Sequence, residues 1–244
     1  VETPSGILNC VGLENPGVDV FLKETLPQLK AYDTKVIVNI DGDSAAEYGE
    51  LAAMLDVDGV DALELNISCP NVAQGGLAFG TSCSAAAQVV EAAKKRTHKP
   101  IITKLSPNVT DITEIARAVE AAGTDMISLI NTLVGMKIDI QTQKPVLGNI
   151  MGGLSGPAVR PVAVRMVYQV AQAVKVPLIG MGGITCAADA IEFFLAGASA
   201  IAVGTANFDN PRLAETISQG IAAYLIDHNL KNIRDLVGKA LPNQ

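Results

Sequence analysis

The chain repeats one short pattern three times, and this repeat limits the possible folds more than any other feature. In each copy a helical segment ends at a glycine, and a strand of apolar residues ends about seven residues later; the glycines are Gly59, Gly123 and Gly197. Glycine suits the left-handed residue that ends a helix, and continuous apolar strands suit a sheet that is covered on both faces. The repeat therefore predicts alternating helices and parallel strands.

Further strands have the same apolar character without the preceding glycine. Two of them follow Pro100 and Pro177, and a proline marks a loop before the chain becomes extended. Segments with helical periodicity fall between the strands, and Asp111 is the predicted N-cap of one of them. These strands cover 35–39, 101–105 and 178–181, and the helices cover 85–96, 111–122, 158–174 and 188–196.

The alternation implies an eight-stranded barrel, but the sequence provides only six strands for it. Either the sheet is open or the first two strands are absent from this chain. The chain begins at Val1 in sequence typical of a loop, which favours the second interpretation. We therefore expect an α/β protein with a TIM-barrel fold, which forms a single N-terminally truncated domain over residues 1–244.

Composition excludes several classes of function. A net charge of −7, with Lys94–Arg96 as the one compact basic cluster, argues against nucleic acid as a partner. No apolar run reaches the roughly 18 to 20 residues of a membrane span. The four cysteines form no C-x-x-C pair, so we expect no metal site and reduced thiols, as in the cytoplasm. His98 and His228 are expected at the surface, which disfavours a histidine base.

Cys69 has the position of a catalytic residue. It lies in the turn 66–71, directly after the apolar strand 62–65. In a parallel barrel the carboxyl ends of the strands carry the chemistry. The alternative is a buried structural cysteine, because free cysteine packs as a small apolar residue.

Two glycine-containing strand ends predict a phosphate site. The segment 180–184 follows a strand and opens a helix, so its backbone N–H groups can approach an anion. The segment 203–206 ends the next strand, and barrels often bind phosphate with the loops after their last two strands. The alternative explanation for these glycines is tight packing of helix on sheet.

Polar residues at other strand ends predict a ligand beside this phosphate. Lys104 is the only charged residue of its strand and would face either an anionic ligand or solvent. Asn39, Asn66 and the pair Asn131–Thr132 end three different strands and can bind a heteroaromatic or amide ligand. Each asparagine could instead form a turn. The long connection 133–153 is expected to form a hairpin around 141–144 that borders the ligand.

Six motifs, in this order, resemble class 1 dihydroorotate dehydrogenase. The K-L-S-P-N-V-T-D and G-G-L-S-G-P segments resemble its 1B branch, the catalytic subunit of an NAD-linked enzyme. The similarity runs from Val1 to the C-terminal helices, although the family has about sixty further residues at the front of its barrel. The motifs are N-I-S-C-P-N at 66–71, K-L-S-P-N-V-T-D at 104–111, I-N-T-L at 130–133, G-G-L-S-G-P at 152–157, G-M-G-G at 180–183 and V-G-T-A-N-F at 203–208.

The resemblance implies an FMN-containing TIM barrel that oxidises (S)-dihydroorotate to orotate in de novo pyrimidine biosynthesis. Cys69 would be the base at C5, with hydride passing from C6 to the flavin. A homodimer would assemble with an FAD and [2Fe-2S] subunit into a heterotetramer that reduces NAD in the cytoplasm. FMN contacts would be Asn39, Asn66, Lys104, Ile130, Gly156, Gly182, Gly183, Gly204 and Thr205. Substrate contacts would be Asn9, Cys10, Val11, Gly12, Leu13, Asn66, Asn131 and Thr132.

Several alternatives stay open on the sequence. The pyrimidine-reducing domain of dihydropyrimidine dehydrogenase has a similar cysteine loop. A non-catalytic flavin- or phosphate-binding barrel fragment would use the same glycine segments, as would a barrel aldolase or isomerase, although these have no use for Cys69. Fumarate or a quinone could replace NAD as the electron acceptor.

Overall fold

The computed structural model describes residues 1–68 and 79–242. Within these residues the chain forms twelve strands and seven main helical segments. The strands are β1 (Glu2–Thr3), β2 (Gly6–Asn9), β3 (Ile37–Ile40), β4 (Ala62–Asn66), β5 (Ile101–Leu105), β6 (Met126–Leu129), β7 (Leu133–Met136), β8 (Ile138–Asp139), β9 (Lys144–Pro145), β10 (Met151–Ser155), β11 (Leu178–Met181) and β12 (Ala200–Ala202). The helices are α1 (18–29, with a π-helical turn at Phe21–Thr25), α2 (Ala45–Met54), α3 (Cys83–Lys94), α4 (Ile112–Ala121), α5 (Arg160–Ala171), α6 (Ala187–Leu195) and α7 (Leu213–Asp227).

The central sheet contains the six predicted strands. All of its pairings are parallel, in the order β12-β11-β6-β5-β4-β3. In the described part of the chain β12 and β3 are its two edges, so this sheet is open. The four predicted helices between the strands are confirmed, with ends that differ by a few residues. The three repeat glycines all have a positive φ, of 94° at Gly59, 95° at Gly123 and 113° at Gly197. Gly123 and Gly197 directly follow the ends of α4 and α6 as predicted, whereas α2 ends at Met54 and Gly59 lies in a turn after it.

The helices cover one face of this sheet because alternate strand residues are apolar. Leu63 and Leu65 of β4 are fully buried in the main core, against residues of α2 and α3 such as Tyr48 and Val89. Side-chain caps fix where the helices start: Ser44 caps α2, Ser82 caps α3 and Asp111 caps α4, as predicted for Asp111. The opposite face of the sheet carries polar side chains.

A second sheet was not predicted. It is antiparallel, in the order β1-β2-β10-β7, and β10 pairs with both β2 and β7. Most of it comes from the N-terminal segment and the long connection 133–153, which also contains the predicted hairpin as β8 paired with β9. This sheet lies beside the carboxyl ends of the central strands and forms one wall of the site. None of the described helices is long and apolar enough to cross a membrane.

Candidate active site

A cavity of about 500 Å³ lies at the carboxyl ends of β5, β6, β11 and β12. Its walls come from the loops that follow these strands and from the segments that flank β2 and β10. Of the nine residues predicted to contact the cofactor, seven line this cavity: Lys104, Ile130, Gly156, Gly182, Gly183, Gly204 and Thr205. The predicted substrate residues Asn131 and Thr132 line it as well.

Two glycines of the cavity, Gly183 and Gly156, are packed too closely against neighbouring loops to carry a side chain. Gly183 has a φ of 76°, and a Cβ atom there would lie 2.7 Å from the carbonyl oxygen of Gly156 and 2.9 Å from Cβ of Arg160. Gly156 has a φ of 94°, and its Cβ would lie 2.7 Å from Cα of Gly6. Three chain segments therefore meet backbone against backbone beside the N-terminus of α6. This arrangement suits a phosphate group, which backbone N–H groups at a helix N-terminus can bind.

Hydroxyl groups complete the same end of the cavity. The Thr205 hydroxyl donates a hydrogen bond to Oγ of Ser155, at 2.9 Å, and so ties the loop after β12 to the end of β10. Thr185 also lines the cavity. Ser155 lies in the G-G-L-S-G-P motif but was given no role there, and Thr185 was missed because a lone threonine in a loop carries no distinctive pattern.

Asn66 belongs to a buried polar network at the end of β4. Asn131 Nδ2 donates to Oγ of Ser68 at 2.8 Å, and the Ser68 hydroxyl donates to Oδ1 of Asn66 at 3.0 Å. The Tyr48 hydroxyl donates to the Asn66 carbonyl at 2.9 Å. The network fixes the strand end that leads into position 69. Cys69 itself, the predicted catalytic residue, lies outside the described residues.

A second polar network lies on the inner face of the central sheet. Asn39 Nδ2 donates to Oε2 of Glu64 at 2.5 Å, and the Ser128 hydroxyl donates to Oε1 of Glu64 at 2.6 Å. Lys104 is in register with Asn66 on one side and Ser128 on the other. Its ammonium group makes no ion pair with any described residue, and it lines the cavity. Asn39 and Asn66, the other two residues predicted to contact the cofactor, do not line the cavity, and their side chains take part in these two networks.

The predicted substrate segment begins at the end of β2. Asn9 pairs with Gly153 of β10, and its Nδ2 donates to the Gly153 carbonyl at 3.4 Å. A Cβ atom on Gly153 would lie 2.7 Å from Cβ of Thr132, so Asn9 and Thr132 lie on either side of this glycine. The rest of the segment is accessible: Cys10 is partly buried, Gly12 has a φ of 84° in open space, and Val11 and Leu13 are 73% and 37% exposed.

Asn108 holds the segment that carries Asn131 and Thr132. Its side-chain amide donates to the Thr132 carbonyl at 3.0 Å, and its Oδ1 accepts from the Val134 amide at 2.9 Å. Asn108 therefore joins the loop after β5 to the connection between β6 and β7. It was not predicted as a site residue, because its partners lie more than twenty residues away in the sequence.

One acid near the Asn66 network has an altered pKa. Burial raises the pKa of Asp41 to about 6, although the Tyr48 hydroxyl, which lies 3.2 Å from Oδ1 of Asp41 and shares its one hydrogen with the Asn66 carbonyl, acts in the opposite direction. Asp43 and Glu47 add to the increase by charge repulsion. Tyr48 thus connects a titrating carboxyl group to the backbone of Asn66.

Comparison with known proteins identifies the family. The family described as "Dihydroorotate dehydrogenase" matches residues 1–225 of the chain. The chain belongs to the dihydroorotate dehydrogenase family. This confirms the resemblance seen in the motifs. The described central sheet is accordingly six strands of the family's α/β barrel.

Curated relatives with high identity lie in one branch of this family. The chain is 60% identical over 241 residues to a protein of Desulforamulus reducens named "Dihydroorotate dehydrogenase B (NAD(+)), catalytic subunit", covering 98% of this chain and 79% of the relative. A protein of Geotalea uraniireducens with the same name is 56% identical over 239 residues, covering 98% of this chain and 78% of the relative.

A solved structure has the same fold. The crystal structure of DHODH from Eimeria tenella in complex with ferulenol matches with a TM-score of 0.79 at 22% identity. The match covers 95% of this chain and 70% of that one.

Proposed function

We propose that this protein oxidises (S)-dihydroorotate to orotate in pyrimidine biosynthesis, as the catalytic subunit of an FMN-dependent dihydroorotate dehydrogenase. The observation that carries the proposal is 60% identity, over nearly the whole chain, to a relative with that activity in its name. The cavity at the strand ends supports it, because seven of the nine residues expected to bind FMN converge there.

The residues present fit the phosphate and the ring of FMN. The close approach of Gly183, Gly156 and Gly6 leaves no room for a Cβ atom at Gly183 or Gly156 and brings their loops together as a backbone cradle next to the N-terminus of α6. Gly182, Gly183, Gly204 and Thr205 would hold the phosphate, and Lys104 and Ile130 would border the ring. When bound, FMN accepts the hydride that dihydroorotate loses from C6.

The substrate would lie at the other end of the cavity, beside the amide side chains. Asn66, Asn131 and Thr132 offer donors and acceptors that match the carboxylate and ring amides of dihydroorotate. Asn9 and the accessible segment Cys10–Leu13 would close over it and exclude water. We assign Asn131 and Asn66 to orienting the substrate, since their hydrogen bonds through Ser68 hold both amides rigidly.

Cys69 would remove the proton from C5. A cysteine thiol has an unperturbed pKa near 8.5, so it can act as a base near neutral pH when its thiolate is stabilised. The preceding residue, Ser68, is fully buried and accepts a hydrogen bond from Asn131.

The electrons would pass to NAD through a partner subunit that carries FAD and a [2Fe-2S] cluster, with two copies of each subunit in a heterotetramer. Support comes from the relatives, which are named as NAD(+)-linked catalytic subunits. The outer face of the second sheet also exposes apolar side chains suited to a subunit contact: Val134, Met136 and Met151 are 42%, 46% and 55% exposed. Free thiols at Cys10, Cys83 and Cys186 suit the cytoplasm.

The proposal is tested by comparing reductants of the bound flavin. The FMN-loaded protein is mixed anaerobically with dihydroorotate or with dihydrouracil, and the visible flavin absorbance is followed. We expect rapid bleaching by dihydroorotate, one orotate formed per flavin reduced, and little bleaching by dihydrouracil. Preference for dihydrouracil would instead indicate a dihydropyrimidine dehydrogenase, and failure of both reductants would indicate a barrel that only binds flavin.

A further inference from the structure

An ion pair lies next to the close contact between the loop of Gly156 and the loop of Gly183, and it joins these two loops. Arg160, the first residue of α5, donates from Nη1 to Oδ1 of Asp189 in the first turn of α6. The other oxygen of Asp189, Oδ2, accepts from the amide of Thr185 at 2.8 Å and from the Thr185 hydroxyl at 2.7 Å. One carboxylate therefore accepts hydrogen bonds from the start of α5 and from the loop that precedes α6.

The Asp189 carboxylate is shielded from solvent, so its negative charge depends on Arg160 for compensation. The Asp189 side chain is 8% exposed and that of Arg160 is 31% exposed. Burial by itself raises the pKa of Asp189, but the hydrogen bonds from Thr185 and the charge of Arg160 outweigh it, so the pKa is lowered and the group is ionised at neutral pH. Removal of one partner of a buried pair leaves a charge without compensation.

The two loops joined by the pair are those that form the cradle. Arg160 immediately follows the segment 156–159, and Thr185 ends the segment that begins at Gly182. A Cβ atom on Gly183 would lie 2.9 Å from Cβ of Arg160, so the ion pair and the close loop contact are adjacent. Thr185 lines the cavity, whereas Arg160 and Asp189 support it from behind.

We propose that Arg160 and Asp189 are positioning residues that hold the two glycine loops in the arrangement that binds the phosphate of FMN, and that they thereby set the preference for FMN over riboflavin. The inference rests on the proposed cofactor. Arg160 has a second role in this arrangement: it neutralises Asp189, which would otherwise place a negative charge close to a dianionic phosphate.

The test measures dissociation constants for FMN and for riboflavin in the same apo-protein, by quenching of flavin fluorescence. Asp189→Asn keeps the shape of the side chain but removes its charge, and Arg160→Met removes the cation. We expect the FMN constant to rise at least about tenfold in both variants and the riboflavin constant to change less than about twofold, because riboflavin has no phosphate for the loops to hold. Arg160→Lys should restore part of the preference for FMN.

Glu192→Gln is the matched control. Glu192 is on the same helix as Asp189 and contacts Nε of Arg160 at 3.3 Å, but its side chain is 54% exposed and it holds neither loop. The control should bind FMN like the unchanged protein.

An unchanged ratio of the two constants in folded Asp189→Asn would overturn the proposal, and so would equal weakening of FMN and riboflavin, which indicates general destabilisation. If Asp189→Asn does not fold, Arg160→Met decides by the same ratio. Failure of the unchanged protein to prefer FMN to riboflavin would refute the proposed cofactor, and the positioning role with it.

Discussion

Replacement of Gly183 by alanine should weaken the binding of FMN. Replacement of Gly123 by alanine serves as the control, because it introduces similar backbone strain away from the site. At Gly183 the new Cβ atom would lie 2.7 Å from the Gly156 carbonyl oxygen and 3.1 Å from the Arg160 amide nitrogen, both backbone atoms that cannot rotate away. Gly123, at the end of α4, has a similar left-handed φ of 95°, but a Cβ atom there meets nothing within 4 Å. The two variants share the backbone strain, and only one adds a steric overlap.

The structure gives the expected size of each effect. The left-handed conformation costs a residue other than glycine about 1–2 kcal/mol, which is the whole cost for Gly123→Ala. At Gly183 an overlap in a packed region adds about 1–3 kcal/mol. The loops can relieve this overlap by moving apart, and FMN must then bring them together again. About 2 kcal/mol of such work corresponds to roughly 30-fold weaker FMN binding.

Two measurements check this reasoning: urea unfolding of the apo-protein and titration with FMN. We expect Gly123→Ala to lose about 1–2 kcal/mol of unfolding free energy with an unchanged FMN dissociation constant. Gly183→Ala should lose more stability and bind FMN roughly 30-fold more weakly. The reasoning is refuted if both variants bind FMN equally well, because the cradle would then not depend on the close approach of its loops.

Three further predictions concern the chemistry of the site. Cys69→Ala should slow flavin reduction by dihydroorotate by about 10² to 10⁴-fold while FMN stays bound; stopped-flow rates equal to those of the unchanged protein would remove Cys69 as the base. Lys104→Met should lower the midpoint potential of the bound flavin, because the cation at the cavity wall favours the anionic reduced form; a potentiometric titration with no shift would contradict this. The pKa of Asp41 is raised from its ordinary value of 3.8 to about 6 in the folded protein, so the folded state holds the proton more tightly than the unfolded chain. The stability contributed by protonated Asp41 is therefore present below pH 4 and is lost as the pH rises through 6. Asp41→Asn should therefore be more stable than the unchanged protein at pH 7, by about 1–2 kcal/mol after allowance for partial solvent exposure, and nearly equal to it at pH 4; urea unfolding that shows the same difference at both pH values would contradict this.

The central sheet could be predicted because its signals are local. Gly123 and Gly197 end helices, and Gly59 lies in the turn after one, all in the conformation that favours glycine, and each strand follows within a few residues. Strands such as Ile101–Leu105 are rich in β-branched and other apolar residues, and a polar residue such as Lys104 stands out near the strand end. The register of the sheet then brings together strand ends that are far apart in the sequence, and this is why Lys104, Asn131 and Gly183 could be placed in one site.

The second sheet and the supports of the site could not be predicted, because their partners are distant in the sequence. Met151–Ser155 contains two glycines and has no apolar alternation, so it becomes a strand only by pairing with Gly6–Asn9 and Leu133–Met136. In the same way, the bond from Asn108 to Thr132 and the ion pair of Arg160 with Asp189 exist only after the loops have met. The role given to Cys69 came from its place after a strand and from the family motif.

The most direct test of the proposed site is a crystal structure of the protein with FMN and orotate bound. We predict the FMN phosphate within hydrogen-bonding distance of the backbone amides of Gly182–Gly183 and Gly204–Thr205, with orotate between Asn131 and Asn9 and the Cys69 sulfur facing C5. A phosphate bound elsewhere, or a Cys69 sulfur turned away from the pyrimidine ring, would contradict the account.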